Sequence, residues 1–99
     1  MARIVSLGSA LHDIYLVDHD DLIATNIGDS AIFGKVLVGS KVDIDKIVYE
    51  VGGGGINSAI SFARHNHEAI FIGNIGKDMA GAAIVKVLNK EGVDTSYIN

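Results

Sequence analysis

Four consecutive glycines, Gly52-Gly53-Gly54-Gly55, separate two stretches of different periodicity. Before them Lys46-Ile47-Val48-Tyr49-Glu50-Val51 alternates as a strand does, and after them Ile56, Ala59, Ile60 and Ala63 recur at helical spacing. A strand-to-helix joint with no Cβ at four successive positions implies that backbone comes very close to something, and it allows φ > 0 there. The positive end of the following helix dipole points into the same spot. The sequence therefore predicts a cradle for an oxygen-rich ligand, with backbone N–H groups left bare to meet it.

Two familiar glycine motifs can be tested against the run letter by letter, and both fail. A phosphate-binding P-loop needs Gly, four residues, then Gly-Lys-Ser/Thr. Gly76-Lys77 is followed by Asp78 and has Phe71 where the first glycine belongs, so no hydroxyl is available there for magnesium. A dinucleotide fingerprint needs a third glycine three residues after the second, but Gly52-x-Gly54 leads to Asn57 and Gly53-x-Gly55 leads to Ser58.

The chain has 99 residues, room for one small domain at most, yet 48% of them are hydrophobic. That excess suits parallel strands covered on both faces, and it reads as part of a larger α/β protein. A net charge of −4 and a pI near 5.3, with no basic patch, exclude a nucleic-acid footprint. There is no cysteine for a disulfide framework or a thiolate metal site. Met1-Ala2-Arg3 runs straight into a strand without the apolar stretch of a signal peptide, and no segment approaches a membrane span. The expectation is a cytoplasmic protein with neither membrane nor nucleic acid as partner.

Along the chain the pattern predicts a strand, a long excursion, then helix, strand, helix and the start of a last strand. The first strand, about Arg3 to Leu7, is almost continuously apolar and is expected to be buried on both faces. From Asp13 to Glu50 comes the excursion, with turn-like Asp18-His19-Asp20-Asp21 and Asn26-Ile27-Gly28-Asp29. Ile32-Phe33 with Lys35-Val36-Leu37-Val38 reads as a strand, Gly39-Ser40 as a turn, and Lys41-Val42-Asp43-Ile44-Asp45 as an alternating strand with one apolar face. The first helix is expected from about Ile56 to Arg64 and the next buried strand at Ala69-Ile70-Phe71-Ile72. A second helix, capped by Asp78, carries Ala80, Ile84, Val87 and Leu88 on one face and ends at Gly92. Such alternation implies parallel βαβ crossovers.

Three motifs in order, Gly53-Gly54-Gly55-Ile56-Asn57-Ser58-Ala59, Phe71-Ile72-Gly73-Asn74-Ile75-Gly76-Lys77-Asp78-Met79-Ala80-Gly81 and Glu91-Gly92-Val93-Asp94-Thr95, span more than forty residues. On these the chain resembles the ribokinase-like (PfkB) family of carbohydrate and nucleoside kinases. Ile4-Val5-Ser6-Leu7-Gly8-Ser9 followed by Asp13 resembles that family's first strand and its sugar-binding aspartate. Leu11 stands where ribokinases proper carry an asparagine, and Asn66 replaces the small residue that usually ends the first helix. The resemblance implies an α/β fold, the N-terminal part of a ribokinase-like domain, with residues 1–12 and 51–99 in the core and about 13–50 as a β-lid. It implies ATP-dependent phosphorylation of a sugar hydroxyl, with ATP and Mg2+ used by the complete enzyme. A nucleoside kinase of adenosine type, or a non-catalytic sugar-binding or assembly module, stands as the alternative. The family's catalytic aspartate, its Gly-Ala-Gly-Asp anion hole and its ATP pocket have no counterpart in these residues, so no catalytic residue is assigned and the chain alone is expected to be inactive.

Within the resemblance, Asp13, Gly53, Gly54 and Asn57 are the substrate-binding candidates. Asp13 has the alternative of a turn residue. Asn57 could be an ordinary first-turn residue, or its amide could serve a pair of sugar hydroxyls as donor and acceptor. Asp78 is read as a helix cap, His65 and His67 as solvated surface, and the acidic group around His19 as a solvated turn. No metal site is expected. A homodimer through the lid is expected, with Phe33, Val36, Val38, Val42 and Ile44 on the face that meets a partner lid or the sugar.

Overall fold

The computed structural model describes residues 1–18, 23–27, 31–35, 38–39, 41 and 44–99. In chain order the elements are β1 (Arg3–Leu7), β2 (Leu11–Asp18), β3 (Ile23–Ile27), β4 (Ala31–Lys35), β5 (Ile44–Gly52), α1 (Gly54–Arg64), β6 (Glu68–Ile72) and α2 (Met79–Lys90). The chain divides into two units, Met1–Asp13 with Tyr49–Asn99, and Ile14–Val48.

The first unit is built on a parallel pair. β1 and β6 run in register from Arg3 beside Glu68 to Leu7 beside Ile72. Isolated parallel bridges at Ile70–Asp94 and Gly73–Ile98 place the last residues along the other edge of β6. Two helices cover one face. Ile56 and Ala59 from α1, Ile84 and Leu88 from α2, Ala69 and Phe71 from β6, and Val93 make the core. Side chains alternate along a strand, so Ala69 and Phe71 lie under the helices while Ile70 and Ile72 point the other way and stay half-buried.

On β1 only Ser6 is buried; Val5 keeps 51% of its surface exposed and Leu7 78%. Among the described residues β1 is thus covered on one face, and the burial on both faces expected of it belongs to the larger protein. A continuous apolar run reports what a strand is suited to bury, whereas actual burial needs a cover, and the helices described here supply one on a single face.

Both helix expectations hold, with one shift. α2 begins after Asp78 and closes at Gly92, whose φ of +79° is the left-handed turn foreseen for that position. Asn66, at φ +65°, takes the left-handed conformation at the end of α1 that asparagine tolerates. α1 begins at Gly54, two residues before the first apolar position, for a reason given below.

In the second unit β3 and β4 form an antiparallel pair from Ile23 beside Lys35 to Ile27 beside Ala31. β2 pairs with β5. Reading Asn26-Ile27 as a turn is corrected, since both residues lie in β3, opposite Ile32 and Ala31. Asparagine is a turn residue by propensity, but cross-strand pairing decides sheet membership, and Ile-Ala-Thr-Asn-Ile offers no clean alternation to announce it. β2 was equally unforeseen. Val38 and Gly39 make a turn, with Val38 almost wholly exposed. Ile44 opens β5 and is also exposed. His19, Asp20, Asp21, Val36, Ser40 and Val42 lie outside the described residues, and Phe33 is placed by its backbone alone.

Candidate functional site

The glycine run meets its own chain. Gly54 N–H donates to Ser9 Oγ at 3.1 Å, and Gly55 N–H and Ile56 N–H donate to the Ser9 carbonyl oxygen at 3.0 and 3.3 Å. Asn57 N–H then makes the first regular helical bond, to the Gly53 carbonyl at 2.9 Å. A helix start leaves four amides over, and Ser9 takes three of them. This support explains why α1 begins inside the glycines, without a capping side chain of its own.

The approach is close enough to require glycine. Gly53 has φ +100°, and a Cβ there would stand 2.6 Å from the Ser9 carbonyl oxygen. A Cβ on Gly55 would stand 2.7 Å from the Phe71 ring and 2.8 Å from the Gly8 carbonyl carbon. At Gly54 the nearest atom would be Ser9 Oγ at 4.0 Å, so a side chain fits. The predicted cradle of bare amides is thus corrected: Ser9 already accepts from Gly54, Gly55 and Ile56. A residue 45 positions away is invisible to local pattern reading, which is why Ser9 was missed.

Asp13 is half-buried on β2, and its carboxylate lies beside Gly52, where an added Cβ would come within 3.3 Å of Oδ2. Gly53 and Gly54 follow directly. Asn57 is exposed in the first turn of α1 and borders a shallow hollow of about 340 Å³ with Ile60, Ser61, Arg64 and His65. Asp13 therefore stands at the strand side of the glycine joint and Asn57 at its helix side. The preceding residue, His12, stacks on Tyr49 with ring centroids 5.6 Å apart and planes 11° from parallel. That pair lines a cleft of about 520 Å³ with Met79, Ala80 and Ala83.

The other polar candidates serve structure. The Asp78 carboxylate accepts from Gly81 N–H at 2.9 Å, which is the cap expected of it. His65 places Nδ1 2.7 Å from the Ser61 carbonyl within α1. His67 corrects the solvated-surface reading: it is half-buried, its Nδ1 accepts from Ala2 N–H at 3.1 Å, and its ring meets Phe62 edge-on. Among the described residues no group of three or more His, Cys, Asp or Glu could hold a metal ion. Arg64 donates to Glu91 at 2.9 Å, and this hydrogen bond holds the Glu91 carboxyl below its ordinary pKa. Bonds from the Ser96 hydroxyl and N–H do the same for Asp94.

A family model described as pfkB family carbohydrate kinase matches residues 1–99. The chain belongs to the pfkB family of carbohydrate kinases. Among its pfkB relatives is a 5-dehydro-2-deoxygluconokinase of Clostridium beijerinckii, 33% identical over 71% of this chain and 23% of that protein. A ribokinase of Haemophilus influenzae is 35% identical over 67% of this chain and 20% of that protein. This chain thus spans a fifth to a quarter of the length of these relatives. In structure it is similar to a ribokinase of Arabidopsis thaliana solved with ribose and ATP, with a TM-score of 0.72 and 24% identity over 98% of this chain and 27% of that one. That likeness shows the fold, a ribokinase-like α/β architecture containing the parallel pair.

Proposed function

We propose that this chain is the substrate-binding and lid portion of an ATP-dependent kinase that phosphorylates a carbohydrate hydroxyl. Membership of the pfkB family supports the chemistry, and the observation that carries the site is Asp13 set against Gly52 where strand, glycines and helix join. An ionised carboxylate accepts from two hydroxyls at once, and a carboxamide offers a donor and an acceptor, so Asp13 and Asn57 suit neighbouring sugar hydroxyls on either side of the joint. Gly54, open where its Cβ would be, lets the ring approach the backbone, and Gly53 next to it supplies the φ +100° turn that presents this stretch. Residues 13–50 are proposed as the lid, which would keep water from the phosphoryl group.

ATP supplies the phosphoryl group and Mg2+ its charge neutralisation in the complete enzyme. No residue of this chain is assigned to the nucleotide, the metal or the base, since no Gly-Ala-Gly-Asp stretch occurs. Use of ATP supports a cytoplasmic setting. A second copy meeting the lid is proposed from the exposed Val38 and Ile44. Ile44→Lys should then shift sedimentation toward monomer or weaken sugar binding, and a variant unchanged in both would end the lid assignment.

Calorimetry of the complete enzyme with D-ribose, D-fructose, D-glucose and adenosine tests the site and separates sugar from nucleoside. Asp13→Ala should weaken binding by about 1.5–3 kcal/mol, as expected for charge-assisted hydrogen bonds. Equal affinity in wild type and variant would reduce Asp13 to a residue of β2 without a part in binding. In a coupled ATP-consumption assay the chain alone should read background, and sugar-dependent turnover would overturn the division of labour proposed above.

A further inference from the structure

The amide end of α1 is where an anion would be expected to bind, and the chain has closed it from within. Three of its four leftover N–H groups are bonded to Ser9, and the Asp13 carboxylate lies at the strand side of the glycine joint, beside Gly52. A phosphate or carboxylate placed there would meet donors that are already occupied, whereas a neutral hydroxyl approaching the joint from its strand side can donate to the Asp13 carboxylate beside Gly52. The same three bonds fix where Gly53 and Gly54 lie relative to the turn leading into β2, and hence relative to Asp13, four residues after Ser9. We propose that Ser9 is the positioning and selectivity residue of this site: by occupying the amides of α1 it holds the glycine joint against Asp13 and reserves this end for a neutral, hydroxyl-bearing group rather than an anion. The assignment rests on the sugar-site reading above.

The two bonding atoms of Ser9 can be separated, because Oγ serves Gly54 alone while the carbonyl serves Gly55 and Ile56. In Ser9→Ala, amide exchange measured by NMR should quicken at Gly54 and change little at Gly55 and Ile56, showing that the variant is folded. The affinity for the best-bound compound of the panel should fall roughly three- to tenfold, the effect of one neutral hydrogen bond, and Ser9→Thr should restore it. Titration of wild type with inorganic phosphate should leave the Gly54, Gly55 and Ile56 amide resonances unmoved. Quickened exchange at Gly54 with undiminished affinity would make Ser9 a structural cap only and overturn the proposal, as would saturable phosphate shifts at those three amides. A wild type that binds nothing in the panel would instead overturn the sugar-site reading, and the positioning role with it.

Discussion

Two helices in this chain start from glycine-bearing turns that follow a strand, and they are started in opposite ways. α2 is capped by its own Asp78, three residues from the amide it serves. α1 has no capping side chain of its own and depends on Ser9, 45 residues upstream. A local cap works wherever the segment goes, so it stabilises a helix without placing it. A distant cap does both. The α1 start is therefore a tertiary joint, and the close contacts of Gly53 and Gly55 with Ser9, Gly8 and Phe71 are its consequence.

The largest way to break this contrast is to remove the ring beneath the joint. Phe71 is fully buried and fills the space that the missing Cβ atoms of Gly55 and Gly73 leave open. Phe71→Ala should cost about 3–5 kcal/mol, read as a lowered midpoint in urea unfolding. Loss of under 1 kcal/mol would mean that the joint does not lean on this ring.

Next come the glycines themselves. Gly55→Ala should destabilise by about 1–3 kcal/mol because its new methyl meets the Phe71 ring and backbone. Gly54→Ala should be neutral or stabilise by up to about 1 kcal/mol, since it relieves chain entropy in an open position. Equal effects at the two neighbours would contradict the packing at α1.

Asp78→Ala should cost about 1 kcal/mol, the ordinary value of an N-cap. Thermal melting would show it, and amide exchange at Gly81 should localise it to α2. A change spreading to the Gly54 amide would deny that the two starts are independent.

The smallest effect is electrostatic. Arg64 depresses the Glu91 carboxyl, so the stabilisation from that pair is present above the unfolded-state carboxyl pKa and is lost as pH falls through the depressed folded value. The Arg64 side chain is 66% exposed and that of Glu91 22%, so solvent reaches the pair and keeps the effect small. Melting temperature followed downward through the acid range should fall slightly less steeply in Glu91→Gln; identical curves would leave the pair without a role in stability.

What was legible in the sequence follows the same division. Asp78 before an apolar periodic run, Gly92 after it, and the parallel pairing implied by strand and helix alternation are local signals, and they appear where expected. Asp13 and the glycines could be named from the resemblance, but their neighbours could not. The Ser9 bonds, the fit of Phe71 under Gly55 and the Ala2 bond to His67 each join residues far apart in the chain. β3 was missed because Asn26 suggested a turn when a partner strand was all it needed.

The chain leaves the first unit after Asp13 and returns at Tyr49. The His12–Tyr49 stack and the approach of Asp13 to Gly52 bring the exit and the return together. The exit and the return are also joined by the pairing of β2 with β5, so length added outside the paired strands enters stability through the entropy of a closed loop, and doubling such a loop costs roughly 0.6 kcal/mol. Insertions and deletions between the paired strands can therefore vary that segment while the packing of Ile56, Ala59, Phe71, Ile84 and Leu88 in the first unit stays unchanged.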